Sequence, residues 1–181
     1  MLLDPIEISP MATEVACEVV ARRIETFSLG DAKPPVAESG FAELYTIFRA
    51  NLREALSACQ EFALSPNYRS IKYSQSDEEL LDALRSYLRE TAERYESEAA
   101  GISPDALAVL RTLEESGGVC VGEAVTKLLG EETQLDGDSR LEELDRVGLA
   151  FVESDPSDNR RSSVRLTARA KVLLWAGRLS Q

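Results

Sequence analysis

Histidine is absent from the 181 residues. Its absence removes the commonest general base, the Ser-His and Cys-His nucleophile pairs and the usual zinc ligand. Cysteine is scarce: Cys17, Cys59 and Cys120 lie far apart without CxxC spacing. Three unpaired thiols argue against a disulfide framework and for a reducing compartment. No long apolar run occurs, and the opening MLLDPIEI is short and acidic. Neither a signal peptide nor a membrane span is therefore expected, and the chain reads as cytoplasmic. Phosphate-cradling loops of the GxxxxGK[ST] or GxGxxG type are missing as well. Adjacent acids such as Glu114–Glu115 and Glu131–Glu132 read as solvated helix faces. The chain thus offers no residues for an enzyme, a metal or a cofactor. Positive charge is also short, with 20 Lys and Arg against 32 Asp and Glu for a net charge of −12. Such a field opposes generic polyanion binding, so a local basic patch must be found before nucleic acid is assigned.

Apolar residues make up 44% of the chain, enough for a sizeable core. Residues 1–10, with Pro5 and Pro10, read as an irregular arm. A helical period over 11–28 places Val15, Val19, Val20, Ile24 and Phe27 on one side. LGDAKPPVAESG breaks it as a linker. A second helix is expected over roughly 40–64, with Phe41, Leu44, Tyr45, Phe48, Leu52, Leu56, Cys59 and Phe62 at three- and four-residue steps. Residues 65–75 read as a loop. Ser76 and Glu79 form a capping box for a third helix running to about Ala99, with Leu80, Leu81, Leu84, Leu88 and Tyr95 as its stripe. Residues 1–100 are therefore expected to be a helical region of three long amphipathic helices, built for dimerisation.

From Gly101 the elements shorten. Ser103 caps a helix that Pro104 opens and Gly117 stops, with Leu107, Leu110 and Leu113 inward. A second short helix is expected over about 121–129 and a third over ETQLDGDSRLEELDRVG, with Leu141 and Leu144 inward and Gly148 at its end. LAFVESD reads as a strand, PSDNRR as a turn and SSVRL as the returning strand. Thr167 then caps a final helix. Helix, helix, helix, strand, turn, strand is the order of a winged helix-turn-helix. The expected fold is mostly α, with a winged helix-turn-helix over 101–181 preceded by the three long helices.

Several motifs in this region carry a resemblance. Asp158, Arg160 and then, five residues on, Leu166–Thr167 follow a D-x-R…L-T spacing, while Leu144, Gly148 and Leu149 follow L-x-x-x-G-L. Over about residues 101–174 the chain resembles the MarR family of bacterial transcription regulators. The resemblance implies a homodimer on double-stranded, palindromic DNA, with a wing arginine in the minor groove and a small-molecule effector. By resemblance Arg160 is that arginine and Asp158 the acid that orients it. Arg161, Ser162 and Arg165 complete the wing side, and Ser139 and Arg140 start the recognition helix.

Two features depart from the family pattern. Between Glu131 and Asp145 stand seven acids against one base, Arg140, which suits a helix dipole but not phosphates. The positions where relatives place Ser, Thr and Arg fall on Asp136, Gly137, Asp138 and Ser139. Only fourteen residues follow Thr167, too few for the family's dimerising tail, so the helices at 11–28 and 40–64 are expected to take that role. From Ser154 to Arg178 six bases face two acids. The wing therefore points to DNA, and the acidic third helix to an alternative: a protein-interaction module that has lost DNA and docks a basic partner. The three cysteines are candidates for a redox switch, against their commoner use as small apolar residues.

Overall fold

The computed structural model describes residues 10–27, 34–71, 76–129, 138–153 and 162–179, without the side chains of Phe27 and Thr126. Those residues are mostly helical, with one small three-stranded antiparallel sheet. No helix among them is long and apolar enough to cross a membrane. The chain divides into two compact units, Met1–Leu88 and Arg89–Gln181. The division falls inside a helix, Asp77–Glu98, rather than at Gly101, where the texture of the sequence changes.

The Met1–Leu88 unit contains α1 (Thr13–Phe27), α2 (Glu38–Ile47), α3 (Leu52–Leu64), α4 (Pro66–Ile71) and the first half of α5 (Asp77–Glu98). The face that α1 buries is not the expected valine stripe. Ala16 and Cys17 are buried, Val15 is 47% exposed, and Val19, Val20 and Ile24 are half-buried; the Phe27 side chain lies outside the described residues. The helix expected over 40–64 is two helices. Arg49 and Ala50 take left-handed backbone (φ 54° and 60°), and Asn51 caps α3 by accepting the Glu54 N–H at 3.2 Å. The apolar period runs straight across this break, which hides it. Within 65–75, Ser65 starts α4, its Oγ accepting the Tyr68 N–H. Leu44, Tyr45, Phe62, Leu84 and Leu88 form the centre of the core. At Gly40 α2 passes close to its neighbours: an added Cβ would stand 2.7 Å from Val36 Cγ1 and 3.2 Å from Leu84 Cδ2. Glu43 and Arg85 pair across the helices, with Nε 3.0 Å and Nη2 2.9 Å from Oε2.

In the Arg89–Gln181 unit the rest of α5 is followed by α6 (Pro104–Glu115), β1 (Val119–Val121), α7 (Glu123–Leu129), α8 (Ser139–Arg146), β2 (Ala150–Glu153), β3 (Ser163–Leu166) and α9 (Ala168–Trp175). Ser103 caps α6, accepting the Ala106 N–H at 3.2 Å, and Thr167 caps α9, accepting that of Ala170. Leu110, Leu113, Leu141 and Leu144 are fully buried, while Leu107 stays half-exposed. Gly148, at φ 70°, ends α8, and the Leu149 N–H reaches back to the Leu144 carbonyl at 2.8 Å. The strand β1 has no counterpart among the expected elements; the expected second helix begins two residues later, at Glu123. The strand order is β1-β3-β2, with Cys120 and Val152 both opposite Val164. That register turns Cys120, Val164 and Leu166 toward the core. Val119, Val121, Phe151 and Arg165 lie on the outer face.

Candidate nucleic-acid interface

Asp138 organises the start of α8. Its carboxylate accepts the N–H groups of Arg140 (2.9 Å) and Leu141 (3.3 Å), satisfying two of the donors that a helix start leaves open. The same carboxylate holds the Arg140 guanidinium through Nε (3.1 Å) and Nη2 (2.6 Å). Nη2 also donates to the Leu129 carbonyl at the end of α7, at 3.0 Å. Asp138 is only 4% exposed. Hydrogen bonds from Arg140 nevertheless keep its carboxyl below the usual carboxylate range, outweighing the opposing effect of burial. Arg140 is thus fastened within the protein by a neighbour two residues away.

The outward face of α8 then reads Ser139, Glu142, Asp145 and Arg146, all exposed. Glu143 turns the other way. It accepts the Ser103 hydroxyl at 2.6 Å and the Ser103 N–H at 3.0 Å, tying α8 to the first turn of α6. Those two bonds, with Arg146 nearby, hold the Glu143 carboxyl below its ordinary range. Of the seven acids counted in the sequence, Asp138 and Glu143 therefore have structural work. Glu142 and Asp145 face solvent, and Glu131, Glu132 and Asp136 lie outside the described residues.

On the wing side, Asp158, Arg160 and Arg161 also lie outside the described residues. Ser162 is buried, its carbonyl accepting the Gly122 N–H at 2.9 Å. Ser163 Oγ is buried with no hydrogen-bond partner among the described residues. Arg165 is exposed on β3, over the Phe151 ring at 5.1 Å and 3.0 Å from Glu153 Oε2. Two further bases of this region meet acids on α5. Arg169 donates to Glu98 at 2.6 Å and lies over the Tyr95 ring, and Arg178 reaches both Glu93 and Glu96. Three of the six bases, Arg165, Arg169 and Arg178, are therefore paired with carboxylates within the fold. The carboxylates that meet Arg169 and Arg178 come from 71 to 85 residues away in sequence, where no local count finds them.

The expected contact residues accordingly fall into separate clusters. Ser139 and Arg140 stand at the start of α8, with Arg140 bonded inward. Ser162 and Arg165 stand on β3, the first buried and the second paired with Glu153. Among the described residues no three His, Cys, Asp or Glu side chains converge as a metal site. No family model, curated protein or solved structure matches the chain.

Proposed function

We propose that the Arg89–Gln181 unit is a winged helix-turn-helix of a MarR-like DNA-binding regulator, which grips DNA mainly through the β2–β3 connection. The observation that carries this reading is topological. The order α6-β1-α7-α8-β2-β3 with the sheet order β1-β3-β2 fits a recognition helix followed directly by a hairpin wing. That connection holds the D-x-R motif, and the Leu166–Thr167 pair that follows it has a structural use: Leu166 is buried and Thr167 caps α9. Arg160 enters the minor groove, where a planar guanidinium suits the negative potential of a narrow tract. The outward acids of α8 repel phosphates, so non-specific affinity is low and sequence discrimination narrow. Exposed Met11, Val15 and Leu64 on and beside the first helices support a homodimer formed through the Met1–Leu88 unit. A monomer mass at micromolar concentration would count against that dimer.

One observation favours a second reading. With Arg140 withdrawn, the exposed acids Glu142 and Asp145 give α8 the sign that suits a basic protein partner. Fluorescence anisotropy on a labelled random duplex, across a salt series, separates the two. With two wing arginines per protomer the logarithmic salt slope is about −2 per protomer, and Arg160→Ala lowers it by about 1. Charge reversal of α8 (Glu142→Lys with Asp145→Lys) strengthens DNA binding on the first reading. If wild type and both variants give no signal at any salt, a pull-down with the charge-reversed helix tests the docking reading.

A further inference from the structure

We propose that the Met1–Leu88 unit carries a binding site for a small apolar monocarboxylate, in the cavity between α1, the Pro34–Val36 segment, α2 and α3. The cavity measures about 350 Å³, within the range of small-molecule sites, about 300–1,000 Å³. Nine of the eleven described lining residues are hydrocarbon side chains, so the body of the ligand is apolar. Val20 and Ile24 come from α1, Phe41 from α2, and Leu56, 39% exposed, from α3.

The charge of the ligand follows from the other two lining residues, Arg23 and Cys59. No carboxylate of the described residues lines the cavity. Among the described residues none pairs with Arg23, whereas its neighbour Arg22 is held by Glu18 at 2.6 Å. Burial pushes the Cys59 thiol up to about 12, so that group is a neutral wall and does not compete for the guanidinium. An anion meets one unopposed cation beside an apolar wall, a neutral molecule leaves that cation unused, and a cation is repelled. Arg23 is exposed, so a carboxylate gains a modest, solvent-screened increment, while the cavity supplies most of the affinity by burying the apolar body. The inference stands apart from the DNA reading, since every residue it uses belongs to the Met1–Leu88 unit.

The test is calorimetric titration of the full chain with decanoate, decanol and decyltrimethylammonium, each below its micellar concentration and without DNA. Decanoate is expected to bind about fivefold more tightly than decanol, and decyltrimethylammonium more weakly than either. Arg23→Gln removes the advantage of decanoate and leaves decanol binding in place. Val20→Phe, which fills the cavity, weakens decanoate and decanol together, with the circular dichroism melt confirming a folded chain. The proposal is overturned if decanol matches decanoate in the wild type, if Arg23→Gln preserves the difference, or if Val20→Phe binds decanoate unchanged. A folded wild-type chain that takes up no decanoate overturns it as well, including one whose copies associate through this face.

Discussion

Replacing Asp138 by alanine tests whether the start of α8 is held as described. The change deletes an N-cap, which costs about 0.5–2 kcal/mol. It also releases the Arg140 guanidinium. The Arg140 side chain is 30% exposed, so it regains water instead of being stranded. That loss is about 1 kcal/mol, well below the 3–5 kcal/mol of a fully enclosed ion pair. The sum is about 1.5–3 kcal/mol in the Arg89–Gln181 unit. Trp175, the only tryptophan, sits in α9 of that unit, so urea unfolding followed by its emission reads the correct transition. The midpoint should fall by about 1 M. Asp138→Asn keeps an acceptor for the backbone and loses only the charge, so about half the effect should remain. The pH dependence has a definite sign. Arg140 lowers the Asp138 pKa in the folded state, so the stabilisation is complete above the unfolded value of about 3.9 and is lost as pH falls through the lower folded value. The gap between wild type and the Asn variant should hold from about pH 5 to 8 and close below about 4. An Ala variant within about 0.5 kcal/mol of wild type, or a gap that ignores pH, would refute the reasoning.

Three further outcomes are expected. Gly40→Ala drives a Cβ against Val36 and Leu84 and should lower stability by about 1–3 kcal/mol; an unchanged calorimetric melting temperature would remove the tight approach of α2. Ala50→Gly relieves a left-handed alanine at φ 60° and should raise stability by up to about 1 kcal/mol, the relief of about 1–2 kcal/mol being partly offset by added unfolded-chain entropy; a lower urea midpoint by circular dichroism would contradict it. With its thiol at about 12, Cys59 should react with iodoacetamide at pH 8 about 10³-fold more slowly than an ordinary cysteine. Labelling as fast as that of a free thiol, followed by mass spectrometry, would restore Cys59 as a redox candidate.

What could be read from sequence was what short-range chemistry determines. The Ser103 and Thr167 caps, the Gly148 stop and the inward Leu141 and Leu144 are each set by neighbours within a turn or two, and all are found in the fold. The break at Arg49–Asn51 escaped because the apolar period ignores it, although Asn51 with Glu54 is a cap signature. β1 escaped because three residues between glycines hold no period. The orientation of α1 escaped for a different reason: Ala16 and Cys17, not the larger valines, are what fit against its neighbours. For the candidate interface the sequence yielded the residues but not their commitments. Nothing near Arg169 or Arg178 announces Glu98 or Glu93, and nothing near Glu143 announces Ser103, 40 residues earlier.

The central position of β3 bears on how the second unit is made. Among the described strands it is the last to be synthesised and the one with which both others pair. On a ribosome adding about 5–20 residues per second, β1 waits roughly 2–9 s before Ser163–Leu166 emerge. Through that interval Val119 and Val121 belong to a strand with no ladder, the condition in which nascent chains associate wrongly. A chain terminated before Ser163 would lose the whole sheet, whereas removal of either outer strand would leave one antiparallel pair. Premature stops beyond Glu153 should therefore divide into two kinds: those after Leu166 that keep the sheet, and those before Ser163 whose products are left to proteases and chaperones.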